Sequence, residues 1–518
     1  MATRRSFIRI AVLQCANIIA AYIMYVLMTY LTDVWKLSIT QAAAIVNVYS
    51  GLVAIMPIGM AFLLNHCLGI YWMLFLSSVT YSIGLSFLAM STPPFLSKVT
   101  GTCSEYEPAC IGKIQSIFFY VGLALIAVGK SSHSVSVKSF WEVQEENQEH
   151  EEKQTKFQEF LQKLKEMGDF QVILASVAPI ILVAYIKPWT VRFGIPAIFS
   201  VVATLIFLSS SWSYNFIKPP QTSGIRSLSL SRSHHTKSSK GVCEDGAATT
   251  LPSQTLEEGC NNELRLLRTE GANETRVILR IIPMWITFVV CGIVISTGNT
   301  YFLEQANHMN NKLGSLHVPV EFLFWYYNMT KLSKTFEIFK NIIPASLLAS
   351  CPIFYSAICC IIAARVEFKR LHVVKKYGLI DKPEDTIPMS MFWLLPQLFF
   401  LGLIEGSAEN YFSDFCAQEV PDLMKRYVLF LSKGVLGAGT IGSVFFVYIV
   451  EKVSQRGGRL SWFQDTLNRS SLDNYYWVLA VLTSINFVVY LVLACRFMYR
   501  CLKRECEREY ESTPPSII

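Results

Sequence analysis

Stretches of roughly twenty apolar residues, each closed by a short polar break, recur along the whole chain and set the scale of its elements. Ile10 to Thr32 and Tyr475 to Cys495 contain no Asp, Glu, Lys, Arg or His, and Val277 to Phe302 contains only Arg280, close to one end. A hydrocarbon layer ~30 Å thick is crossed by ~20 helical residues. Inside that layer each backbone N–H and C=O has to bond internally, so these stretches are expected to be membrane-spanning helices. The pattern predicts spans near 8–32, 41–64, 71–91, 115–137, 170–187 and 193–214, and again near 277–303, 341–364, 388–408, 427–450 and 475–498.

Residues 216–275 break the pattern. They are rich in Ser, Lys, Arg and Gly (Ser227, Ser229, Ser231, Arg232, Ser233, Lys237) and lack apolar periodicity, a composition that buries too little surface to fold alone. The expected organisation is therefore an N-terminal six-helix bundle over 1–215, a disordered cytosolic linker over 216–275, and a C-terminal six-helix bundle with a cytosolic tail over 276–518. Two bundles joined in this way are the outline of a secondary transporter. The eighth span carries the ambiguity. Val318 to Phe336 starts as an apolar, aromatic run, yet contains Glu321 and runs into Lys331 and Lys334. Counting it gives twelve spans; omitting it gives eleven, and Lys/Arg totals on the two sides are too even to decide.

Composition agrees with a membrane protein. Mean hydropathy is +0.38, and 16% of residues are charged against ~25% in soluble domains. The net charge of +7 sits largely in clusters beside span ends, such as Arg4, Arg5 and Arg9 before the first and Arg500, Lys503, Arg504 and Arg508 after the last. These favour cytosolic termini by the positive-inside rule and give no sign of nucleic-acid binding. The first span is too long for a signal-peptide core and is expected to be retained. Several of the 14 cysteines lie inside spans, where Cys acts as a small apolar residue. Cys103 and Cys110 share a polar loop expected to face away from the cytosol, so they are a disulfide candidate, with two free thiols as the alternative. Sequons occur at Asn273, Asn328 and Asn468, of which Asn468 falls in an expected external loop and is the glycosylation candidate. No P-loop, metal-ligand spacing or nucleophile elbow is present, so neither an enzyme nor an ATP-driven pump is indicated, and no metal or cofactor is expected.

Several stretches resemble the plant nitrate/peptide transporter family, a branch of the proton-dependent oligopeptide transporters in the major facilitator superfamily. Met389 to Glu405 (MSMFWLLPQLFFLGLIE) is similar to that family's tenth helix, Pro421-Asp422-Leu423-Met424-Lys425 to the segment after it, and Leu460 to Tyr490 to its twelfth helix. Phe193-Gly194-Ile195-Pro196-Ala197 and Leu279 to Trp285 resemble parts of the sixth and seventh helices. The resemblance implies an all-α membrane protein of twelve helices in two six-helix bundles. It also implies an even number of crossings between the seventh and tenth helices, which favours twelve spans or ten over eleven. Ten would make Val318 to Phe336 an external insert, because Ile343 to Leu347 looks like the start of the family's eighth helix and Ala364 to Glu367 like the end of its ninth.

The departures bear on mechanism. The family's first-helix Glu-x-x-Glu-Arg, tied to proton coupling, reads Leu13-Gln14-Cys15-Ala16-Asn17 here, and its fourth-helix lysine reads Ser134. Glu405 aligns with the tenth-helix glutamate tied to substrate binding and gating; the plain alternative is a structural pair with a neighbour such as Lys433. Lys130, His133 and Lys138 fall on one broad face of the fourth helix and would suit an anionic solute, although Lys138 equally suits a snorkelling side chain. His133 titrates near neutral pH in water but lacks a first-helix partner for a proton relay, and Asn17 suits interhelical hydrogen bonding. The expected function is transport of a small solute (nitrate, peptide, hormone or secondary metabolite) across the plasma or vacuolar membrane, with proton coupling weakened or lost. The alternatives are a symporter with a relocated coupling site and a non-transporting sensor or partner subunit. The sequence is silent on oligomeric state.

Overall fold

The computed structural model describes residues 2–101, 103–149, 188–209, 281–332, 342–420 and 427–512, with 186 and 425 besides. The expected fifth span (170–187) and the linker (216–275) lie almost wholly or wholly outside these. The N-terminal half comprises α1 (Ala2–Tyr25) running on into α2 (Leu27–Asp33), α3 (Ile39–His66), α4 (Ile70–Met90), the short α5 (Pro93–Thr100), α6 (Lys113–Glu149) and α7 (Trp189–Leu208). The C-terminal half comprises α8 (Ile281–His308), α9 (Glu321–Leu332), α10 (Cys351–Lys376), α11 (Met391–Glu419), α12 (Val428–Ser454) and α13 (Leu472–Ser512). Ten helices among the described residues are long and apolar enough to cross a membrane; the twelve-residue α9 is not among them. The chain is an all-α membrane protein with two small β excursions. Met309–Asn310 pairs in parallel with Ile387–Ser390, and Lys312–Leu313 pairs with Leu316–His317 as a hairpin.

Several predicted ends move outward, two of them at paired charges. The stretch expected to end at 364 continues to Lys376, and the one expected to end at 408 continues to Glu419. Each extension holds paired charges, although Arg365, Lys369, Lys375 and Lys376 on α10 are exposed. Glu367 and Arg370, both fully buried, bind each other at 2.7 Å on α10, and Glu409 of α11 binds Lys331 of α9 and Lys433 of α12. A hydropathy pattern ends a span at its first charges; pairing allows the helix to go on.

The arrangement of α9 bears on the span count. Its Tyr327 and Thr330 lie at Gly402 of α11 and its Lys331 at Gly406, so the two helices run in the same direction. Between them, α10 runs opposite to α11: Cys359 donates to the Gln397 carbonyl at 3.3 Å while Tyr355 meets Phe400. Glu321 to Leu332 therefore lies beside α11 within the bundle, not outside it as an insert.

Cys103 and Cys110 form a disulfide, and Tyr106 inside that loop bonds Thr190 at the start of α7 at 3.0 Å. At this disulfide end the two halves are joined by Arg192–Glu321 (3.2 Å), Asn307–Thr29 (2.8 Å) and Thr32–Glu304 (3.5 Å). Nearer the middle, α3 crosses α12 at Gly51 and Gly437. A Cβ on Gly437 would lie 2.6 Å from that of Ala54 and 2.9 Å from the Gly51 carbonyl oxygen, so only small residues permit the approach. Asn47 donates to Ser443 at 3.1 Å beside this crossing.

Candidate functional site

The sequence Gly402-Leu403-Ile404-Glu405-Gly406 builds the site. Glycines four apart form one bare strip on α11, and the backbone of α9 lies directly on it. A Cβ at Gly402 would come within 2.8 Å of the Tyr327 carbonyl oxygen, and one at Gly406 would collide with that of Lys331. This close approach brings the Lys331 ammonium to 2.9 Å from Glu405 and 2.9 Å from Glu409. Lys433 of α12 reaches Glu409 at 3.3 Å. A π-helical turn begins at Ala408, a local widening frequent at functional sites; another lies at Gly298–Phe302, outside the cluster.

Across the interface, Lys130 of α6 interacts electrostatically with Lys331 and Glu405. Among the described residues no carboxylate lies within ion-pair distance of it. The cluster thus gathers three lysines and two glutamates from four helices, with α6 contributed by one half and α9, α11 and α12 by the other. The Lys331, Glu405 and Glu409 side chains are each about one-fifth to one-quarter exposed, so the charges are partly desolvated and attract or repel more strongly than in water. With all five groups ionised, the excess is one positive charge, which suits an anion rather than a cation.

Of the residues singled out from sequence, Glu405 and Lys130 meet in this cluster. The expected alternative partner of Glu405, Lys433, binds Glu409 instead, and Lys331 takes its place. His133 is buried and hydrogen-bonded to Asn17 of α1, whose amide nitrogen is 2.7 Å from Nδ1. Lys138 lies on α6, and its side chain is outside the described ones. Ser134, at the family lysine's position, donates to the Ser131 carbonyl of its own helix at 2.8 Å. Asn468 needs correction as a glycan site: it is 5% exposed, its amide nitrogen donates to the Leu379 carbonyl, and its oxygen accepts from Arg370. A glycan requires that nitrogen facing water, whereas here it fastens the α12–α13 connection to Leu379, just beyond α10. Sequence reasoning missed Lys331, which had counted only against a span. The missed signal was the glycine pair flanking Glu405, which marks where a neighbouring backbone must lie, together with a second glutamate one turn on.

Comparison with known proteins gives consistent results. A family model described as the POT family matches residues 71–325. An Arabidopsis thaliana protein named Protein NRT1/PTR FAMILY 5.5 is 36% identical, the match covering 96% of this chain and 97% of the relative. Protein NRT1/PTR FAMILY 5.14 of the same plant is 28% identical, covering 92% and 90%. Among solved structures, an auto-inhibited POT family peptide transporter matches with a TM-score of 0.66 at 14% identity, covering 95% of this chain and 97% of that one. The POT family transporter PepTSo matches with 0.65 at 17% identity, covering 96% and 98%.

Proposed function

Because the chain belongs to the plant NRT1/PTR family of POT-type membrane transporters, which are not enzymes, we propose that it carries a small anionic solute by alternating access, with little or no coupling to protons. The observation that carries this reading is the cluster of Lys130, Lys331, Glu405, Glu409 and Lys433 between the two halves. In the empty site, Lys130 and Lys331 repel each other across the interface. A bound anion removes that repulsion, so the halves close around a loaded site more readily than around an empty one; differential interaction of this kind is what shifts a two-state equilibrium. Glu405 and Glu409 keep the excess charge small, so that the anion is also released.

Weak coupling is supported by two features. The first-helix positions tied to coupling in the family are Leu13, Gln14, Cys15, Ala16 and Asn17, none of which titrates as a carboxylate. His133, the nearest titratable group on α6, is engaged by Asn17 rather than by an acid. The test is uptake by oocytes of a panel of inorganic anions, carboxylates, dipeptides and neutral solutes, in acidic and neutral media, against uninjected cells. The expected result is uptake of an anion, little affected by acid, that falls on Lys130→Ala and on Glu405→Gln. Steep acid dependence, with proton currents abolished by Glu405→Gln, would instead make Glu405 a relocated coupling site. Uptake at the control level across the panel would favour a sensor or partner subunit.

A further inference from the structure

Lys331, Glu405, Glu409 and Lys433 all stand on helices of the C-terminal half, and α9 is locked to α11 at Gly402 and Gly406. These four groups therefore move as one body when the halves rock. A site couples transport to protons only if its proton occupancy differs between the two orientations. Two carboxylates one helical turn apart in a partly dry site repel, and they relieve the repulsion by sharing a proton unless a cation stands between them. Here a cation does: one ammonium lies 2.9 Å from both. Lysine in water loses its proton only near pH ~10.4, well above the range in which carboxylates and histidines titrate.

We propose that Lys331 is a built-in counter-cation that keeps Glu405 and Glu409 charge-compensated in both orientations, and is thereby the positioning residue that frees transport from the proton. It occupies, permanently and from within, the place a proton would take. The inference rests on the transport reading above. The charged groups facing the two carboxylates are Lys331 from α9, Lys433 from α12 and Lys130 from α6. From α10, the titratable Tyr355 and Cys359 meet α11 at Phe400 and Gln397, more than one turn before Glu405. Of the three lysines, only Lys130 changes its distance to the carboxylates as the halves move, so it cannot do what Lys331 does.

The test compares wild type, Lys331→Gln, Lys331→Arg and Lys331→Gln with Glu405→Gln. Two readouts are taken at acidic and neutral pH: uptake of whichever anion the wild type carries, and the melting temperature of the purified full chain in detergent. Wild type and Lys331→Arg are expected to show flat profiles. Lys331→Gln is expected to gain acid-stimulated uptake of about fivefold or more, since Lys433 then pairs with Glu409 alone and no ammonium bridges the two carboxylates, which share a proton, and to melt higher in acid than at neutral pH. Adding Glu405→Gln is expected to flatten both profiles again. A folded Lys331→Gln protein with the wild-type profiles overturns the proposal. Should that variant not reach the membrane, Lys331→His decides, because an imidazole carries its charge only in acid; its uptake and melting temperature are expected to rise on acidification, and flat profiles overturn the proposal. Failure of wild type to carry any solute would sink the transport reading, whereas the melting comparison would still decide the role of Lys331.

Discussion

In the N-terminal half, buried polar side chains meet as neutral pairs: Asn17 with His133, and Ser82 with Ser200 and Thr204 at 2.8 and 3.2 Å. Among the described residues of the C-terminal half neutral pairs also occur, such as Gln397 with Gln305 and Ser413 with Ser432, but ions meet beside them: Glu367 with Arg370, and Lys331 with Glu405 and Glu409. Two of the charges the N-terminal half carries among its helices, Lys130 and Arg192, address the other half, Arg192 while also lying over Trp189 of its own. A neutral pair loses little when broken, while a desolvated ion left alone loses a great deal. The C-terminal half therefore has more to lose from a single broken pair.

The comparison breaks most severely at Arg370. Arg370→Met strands Glu367 without its cation in a fully buried position, and the expected loss is about 3–5 kcal/mol, read as a large fall in melting temperature. Adding Glu367→Gln should recover much of it, because no charge is then left alone. Next in size, Gly406→Leu should cost about 1–3 kcal/mol by forcing α9 from α11. It should also make uptake acid-stimulated, as in Lys331→Gln, by separating Lys331 from its carboxylates. Gly59→Leu, where an added side chain meets open space, is the control and should leave both unchanged. Asn17→Leu removes only a neutral hydrogen bond and should cost about 0.5–1.5 kcal/mol, with the pH profile of uptake unaltered. The smallest effect is expected at Lys36, whose 3.9 Å pair with Glu384 is well exposed: Lys36→Ala should leave the melting temperature within experimental scatter. A fall on Asn17→Leu as large as that on Arg370→Met would dissolve the contrast between the halves.

The uncharged spans were legible because a hydrocarbon layer imposes length and apolarity on every helix alike. Ile10 to Thr32 and Tyr475 to Cys495 needed no other information. Legibility failed where charges neutralise each other in three dimensions. Lys331 argued against a span only because its partners lie more than seventy residues away along the chain, on a helix whose nearness depends on Gly402 and Gly406. Asn468 failed similarly: a sequon is a local pattern, and what occupies its amide is Leu379, from another segment. Glu405 was legible through family resemblance. Its pairing was not, since Lys433 was the nearer lysine in sequence.

The crossing of α3 and α12 has a mechanical side. Gly51 and Gly437 let the two backbones approach, and the side chains of Ile441 on α12 and of Ala54 and Ile55 on α3 fill the gaps they leave. Such a contact behaves as a tooth seated in a notch. A bulkier residue at Gly437 would meet Ala54 and the Gly51 carbonyl and prise the two rods apart.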